Sequence, residues 1–222
     1  MSRIRIVPIV EGYGEVEAVP VLIRRIASEV DPSLDTDILH PIRVPANRLK
    51  KQGELERTVD LAVRKLGGKG GVLILIDCDW DNCCPRWDAP DLLDRARSTR
   101  PDAPISLVLA YREYEGWFIA AVESIKNKLP LVEAGEPTSN PEEIRGAKEW
   151  LSRRMPHNQP YVETIHQPSL TAVFDMQAAR RTNSFDKCYR EIVGMIDHLR
   201  ACEAQSTRAP TKGRLKILPS SS

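Results

Sequence analysis

The chain has 222 residues, 41% of them hydrophobic, and its 32 basic and 31 acidic side chains leave a formal charge of +1. That length suits one domain with a small appended part, and the charge balance excludes a globally basic nucleic-acid binder, so any basic surface must be local. No apolar run reaches the roughly 18 residues of a membrane span, and "MSRIRIVPIVEG" enters a strand-like run without a signal-peptide pattern, so a cytosolic protein without a membrane partner is expected.

Ile4 to Val10 reads as a short buried strand, and Gly12 and Gly14 mark a turn after it. Val19, Leu22, Ile23, Ile26 and Val30 recur at helical spacing. Asp37 to Val44 is a weaker strand, whose Pro41 favours an edge or irregular stretch. Leu55, Val59, Ala62, Val63 and Leu66 mark a second amphipathic helix, which "GGKGG" closes before the strand Val72 to Ile76. A short helix near Asp91 to Thr99, a strand from Ile105 to Ala110 and a helix through Trp117, Phe118, Ala121 and Ile125 follow. Residues 129–141 read as loop, and helices are expected at Glu142–Arg154, Leu170–Arg180 and Phe185–Leu199. The expected organisation is an α/β domain over residues 1–128, a helical extension packed on it over 129–203, and a mobile tail over 204–222.

Strands that are near-continuous apolar runs, alternating with helices, imply a parallel sheet covered on both faces. Ligands of such sheets sit beyond the carboxyl ends of the strands. There the sequence places carboxylates: Glu11, Glu15 and Glu17 after the first strand, Asp77, Asp79 and Asp81 after Val72–Ile76, Glu113 and Glu115 after Ile105–Ala110. Like charges so crowded raise each other's pKa, and a hard cation such as Mg²⁺ or Mn²⁺, which takes oxygen ligands, relieves the cost. Positions i and i+2 of an extended stretch share a face, so Asp77 and Asp79 point together, with Asp81 joining if the extended geometry persists. Glu15 and Glu17 also complement a helix N-terminus, and one of Glu113 and Glu115 is a candidate cap for the helix carrying Trp117. Trp117 and Phe118 read as core. Arg43, Arg48, Lys50 and Lys51 follow the second strand and either hold nucleic-acid phosphates or form a solvated basic loop.

The five cysteines, Cys78, Cys83, Cys84, Cys188 and Cys202, lack a CxxC pair and a nearby histidine. Reduced thiols in or near the core are expected, with a zinc site at Cys78, Cys83 and Cys84 as the alternative. "GGKGG" precedes its strand and lacks the Ser or Thr of a phosphate loop, and "EGYGEVE" lacks the third glycine of a dinucleotide fingerprint, so neither supports ATP or NAD binding.

A strand ending in Glu-Gly and a later one ending in Asp-x-Asp resemble the Toprim catalytic domain, with Glu11 matching its glutamate and Asp77 and Asp79 its Asp-x-Asp. "VEGYGE" is closest to the branch of the overcoming-lysogenization-defect (OLD) family nucleases. The whole chain is similar to the Toprim-like DUF4276 family through "VEGYGEVEAVPVLIRRI", "LILIDCDWD", "REYEGWFIA", "YVETIHQPSLTAVFD" and "SFDKCYREI". The resemblance implies a four-stranded Toprim/Rossmann-like parallel sheet, a Mg²⁺ or Mn²⁺ site and phosphodiester chemistry on nucleic acid, without saying whether DNA or RNA; an adjacent ATPase or nuclease gene would favour a role in a bacterial defence system. Asp77 and Asp79 would hold the ion, Glu15 and Asp81 would complete or share the site, and Glu11 would be a ligand or general acid/base. A lysine of the OLD-type site has Lys126 and Lys148 as candidates. Two other readings stand beside this one: a non-catalytic adaptor docking on a partner ATPase, and a small-molecule phosphohydrolase with Asp77 as nucleophile.

Overall fold

The structure is a computed structural model and describes residues 3–126 and 140–208. Five strands form one parallel sheet: β1 (Arg3–Val10), β2 (Asp35–Ile38), β3 (Ile42–Arg43), β4 (Gly71–Cys78) and β5 (Ile105–Tyr111). The order is β2-β1-β4-β5, and β3 pairs with β1 beyond β2. The stretch expected as one strand over Asp37–Val44 is therefore two short pieces on β1. Leu39 still donates its N–H to Ile6 O at 2.9 Å, but Pro41 has no N–H to give, and pairing resumes at Ile42.

Side chains alternate across the sheet, and both faces are apolar. Ile4, Ile6 and Val10 of β1, Leu73 and Leu75 of β4, and Val108 and Ala110 of β5 face one layer. Val7, Ile9, Val72, Ile74, Ile76, Leu107 and Leu109 face the other. The second face is covered by α2 (Ala46–Leu49), α3 (Glu54–Leu66) and α4 (Pro85–Thr99). Gly67 ends α3 with φ +64°, the left-handed conformation a glycine adopts without penalty. The first face carries α1 (Tyr13–Val30), α5 (Gly116–Ala120), α6 (Val122–Ile125), α7 (Ala147–Ser152), α8 (Glu163–Thr171), α9 (Met176–Ala179) and α10 (Asn183–Arg208). The helices beyond residue 140 thus share one core with α1 and the sheet.

Three expected helices are interrupted. The one through Trp117 divides at Ala121, whose φ of −105° and ψ of 24° leave helical geometry. Glu142–Arg154 is a 3₁₀ turn, Pro141–Glu143, followed by α7 after Gly146 at φ +70°. Leu170–Arg180 is the end of α8 and the short α9, which Asp175 caps by accepting from Gln177 N at 2.8 Å. The tail expected from Ala204 begins as helix, since α10 runs to Arg208; residues 209–222 lie outside the described residues. Among the described residues no helix is long and apolar enough to cross a membrane.

Trp117 and Phe118 are core, as their spacing predicts. Trp117 packs 4.5 Å from Tyr114 and 5.1 Å from Phe185, centroid to centroid, and donates its indole N–H to Ser184 Oγ at 2.8 Å. Ser184 in turn donates through its backbone N–H, at 3.0 Å, to Glu142, which caps the start of α10. Trp117→Ala should destabilise the fold by about 3–5 kcal/mol through the cavity it opens. A urea titration with a loss below about 1 kcal/mol would contradict this packing.

Candidate metal centre

Every strand of a parallel sheet ends at the same edge, so the residues that follow β1, β4 and β5 meet there. Register brings them level: Val10 pairs with Leu75 and Asp77 with Ala110. Glu11 thus leaves β1 beside the end of β4, and the peptide turns at Gly12 into α1. Glu15, only 3% exposed, reaches back so that its Oε2 accepts the N–H of Glu11 at 2.9 Å and of Gly12 at 2.8 Å. It closes the first turn of α1 as expected of an acidic residue at a helix start, while facing the other carboxylates. Glu17 is exposed.

Asp77 is 7% exposed and accepts the Tyr114 N–H through Oδ1 at 2.9 Å. Burial pushes its pKa well above the usual carboxylate range, and Glu15, Glu115 and Glu11 add to the rise. Glu11 is raised to about 7 by burial and by the charges of Glu15 and Asp79, against the peptide N–H groups of Ala46 and Asp77. Its Oε2 is buried with no hydrogen-bond partner. Asp79 lies exposed at the mouth, its charge acting on Glu11. Beyond it the chain stops being extended: β4 ends at Cys78, Cys83 N donates to Trp80 O at 3.1 Å, and Asn82 takes φ +60°. Asp81 therefore sits exposed in a turn, and the condition for its joining Asp77 and Asp79 is not met.

The sequence reading missed the floor of this pocket. Glu115 is fully buried, and its Oε1 accepts the Tyr161 hydroxyl at 3.0 Å and Gln167 Nε2 at 3.3 Å, leaving Oε2 without a partner. Burial raises it to about 7, although Lys148 opposes the rise. Lys148 is paired with Glu163 at 3.0 Å. Burial works against its ammonium, but Glu115, Asp77 and Glu163 prevail and its pKa is raised. Glu113 holds Lys148 in place by accepting the N–H of Ala147 at 3.1 Å and of Lys148 at 3.3 Å; it caps α7, not the helix carrying Trp117. Of the two candidate lysines, Lys148 is at this site, and Lys126 pairs with Glu123 elsewhere. Gln167 and Glu163 arrive on α8 because Gly14 lets it close in: a Cβ on Gly14 would stand 2.3 Å from Gln167 Oε1 and 2.9 Å from Glu163 O.

The basic residues divide. Arg43 donates to Glu11 O at 3.4 Å and to the Tyr13 hydroxyl at 3.1 Å, so it stands at the carboxylate pocket. Lys50 lies 4.0 Å from the Trp80 ring centroid. Arg48 is ion-paired with Glu54 at 2.9 Å. Lys51 is exposed, and its carbonyl accepts Arg95 at 3.2 Å.

The cysteine expectation needs correction. Cys78 and Cys83 form a disulfide with Cα atoms 5.6 Å apart, because the turn at Trp80–Cys83 folds the chain back on the strand end. It closes the loop that carries Asp79 and Asp81 and leaves no three-cysteine zinc site; Cys84 and Cys188 are free thiols.

As donors for a metal, the carboxylates fit Mg²⁺ or Mn²⁺ in kind: all are oxygen, crowded in charge, and Glu11 keeps a buried oxygen unused. Among the described residues, no three His, Cys, Asp or Glu side chains converge into a preformed ligand set. An ion here would therefore rest on one or two carboxylates and keep several waters, the usual habit of Mg²⁺.

The raised carboxyl groups fix a pH dependence. A folded pKa above the unfolded value means that the native state binds more protons, so stability falls as pH rises from about 4.5 through about 7. Glu11→Gln, which removes the charge, should raise the melting temperature at pH 8 and have little effect at pH 4.5. A gain of the same size at both pH values, read by differential scanning fluorimetry, would contradict the assignment.

A search of curated proteins and one of solved structures returned no match. A family model described as a domain of unknown function, DUF4276, matches residues 10–192, from the end of β1 to within α10. That span takes in all the residues of the carboxylate pocket, and the chain belongs to the DUF4276 family.

Proposed function

We propose that the chain carries out divalent-metal-dependent phosphodiester chemistry on nucleic acid, as a Toprim-like nuclease. The observation that carries this reading is the set of strand-end carboxylates, Glu11 with a free buried oxygen beside Asp77 and Asp79, with Lys148 acting on Asp77. Asp77 and Asp79 would hold Mg²⁺ or Mn²⁺, with Glu15 behind them. When bound, the ion would supply Lewis-acid stabilisation of phosphoryl oxygens and an activated water. Glu11, with a pKa of about 7, is suited to take or give a proton at neutral pH. Lys148 stays protonated and brings positive charge against developing negative charge. Arg43, next to Glu11, is placed to hold a backbone phosphate.

The small-molecule phosphohydrolase reading is disfavoured, because Asp77 is buried and its Oδ1 is committed to the Tyr114 N–H, which suits a ligand or a support better than an exposed nucleophile. The adaptor on a partner ATPase is the reading that remains if no cutting is found. Purified protein with Mn²⁺ should nick or cut DNA or RNA and lose this with EDTA. Glu11→Gln should lower the rate by about 10²–10⁴-fold. Activity unchanged by Glu11→Gln, or absent with and without an ATPase partner, would overturn the nuclease reading. Asp79→Ala should weaken Mn²⁺ binding in calorimetry, and equal isotherms would remove Asp79 from the metal site.

A further inference from the structure

Aromatic side chains are few in this chain, and most of the large ones are core: Tyr114, Trp117, Phe118, Phe174 and Phe185 are all buried. Two rings stand out in solvent, Tyr13 at 61% and Trp87 at 71% exposed. Both lie at the carboxyl edge of the sheet, Tyr13 just after β1 and Trp87 in the first turn of α4 after the β4 loop.

Each has a cation on its ring. The Arg43 guanidinium is 3.8 Å from the Tyr13 centroid, and that of Arg86 is 5.4 Å from Trp87. The same edge repeats the arrangement twice more, with Lys50 at 4.0 Å from half-buried Trp80 and Arg112 at 5.2 Å from Tyr111. Arg112 is held at φ +64° where β5 ends, and its Nε is buried with no partner. Basic groups paired with aromatic faces therefore follow β1, β4 and β5 at the carboxyl edge of the sheet, on a chain whose total charge is only +1. A cation alone recognises phosphate and an exposed ring alone recognises many things; the alternation matches a chain that alternates phosphates with flat bases. A paired duplex hides its base faces, whereas an unpaired strand offers them.

We infer that this edge binds single-stranded nucleic acid, with bases stacked on Tyr13 and Trp87 and backbone phosphates held by Arg43, Lys50, Arg86 and Arg112. The inference rests on the phosphodiester reading of the pocket and adds the strandedness of its substrate. Trp80, with one face against the core and Lys50 over the ring, positions that lysine.

The test is fluorescence anisotropy of the full chain with labelled oligonucleotides of equal length: oligo-dT, oligo-rU, an abasic phosphodiester strand and a duplex. Titrations are run in EDTA and again with Ca²⁺, and strand integrity is checked on a gel. Oligo-dT or oligo-rU should bind tighter than both the abasic strand and the duplex, and the two arms tell DNA from RNA. Tyr13→Ala and Trp87→Ala should each weaken the base-bearing strand about tenfold and leave the abasic strand unchanged, and Trp87→Phe should restore most of the loss. Arg43→Ala should weaken both strands alike and lower the salt slope by about one. Equal affinity for base-bearing and abasic strands, preference for duplex, or no binding of any strand would overturn the inference. Binding of this kind by a protein that never cuts would sustain it while removing the nuclease reading, and cutting without ring-dependent binding would do the reverse.

Discussion

Carboxylates buried beside one another are the constraint around which this protein is arranged. Each loses hydration and meets like charge, so each needs a donor or must take up a proton. Glu15 finds two peptide N–H groups at the start of α1, Asp77 finds that of Tyr114, and Glu115 finds a phenol and an amide. Lys148 is the one cation that the described residues set against Asp77 and Glu115. What stays without a hydrogen-bond partner in this cluster is one oxygen each on Glu11, Glu115 and Gln167, so the network of donors around these carboxylates is incomplete.

Much of the helical layer serves this arrangement. Glu113 anchors the segment that carries Lys148, and α8 presses its Gln167 and Glu163 against a glycine at the mouth of α1. On the same side Arg25 donates to the carbonyls of Thr171 and Phe174, at 2.7 and 2.9 Å, and ties α1 to the end of α8. The sheet supplies the edge, and the helices beyond residue 140 supply the floor. Neither alone has the charge set.

Strands β1, β4 and β5 were legible because a strand buried on both faces reads as an unbroken apolar run. Glu11, Asp77 and Asp79 were legible because they break that run at one edge. Glu115 reads as a strand-end carboxylate, but the partners that satisfy it in its buried place, Tyr161 and Gln167, lie more than 40 positions away. The helix that brings Gln167, "ETIHQPSLT", has Pro168 inside and weak periodicity, so residues 163–169 gave no helical signal. The Cys78–Cys83 bridge was hidden for a similar reason: five residues of spacing say nothing until the turn at Asn82 brings the ends together. The division of Leu170–Arg180 followed from Asp175, a cap whose meaning depends on Ser124 Oγ accepting its N–H.

The long helix α10 has a consequence for biogenesis. Phe185, Ile192, Met195, Ile196 and Leu199 close the face of the sheet formed by Leu73, Leu75, Val108 and Ala110. A ribosome makes those strands first, and the cover comes later in the chain, α10 starting more than 70 positions after the end of β5. Until then α1 covers this face near β1, but the apolar surface that α10 packs on, chiefly at β5, is exposed in the nascent chain, the condition in which chaperone binding and misassociation compete with folding. This layer of the fold thus closes only once α10 is released, and a stalled or clipped chain ending before it would carry the acidic edge on a sheet whose β5 side lacks its cover.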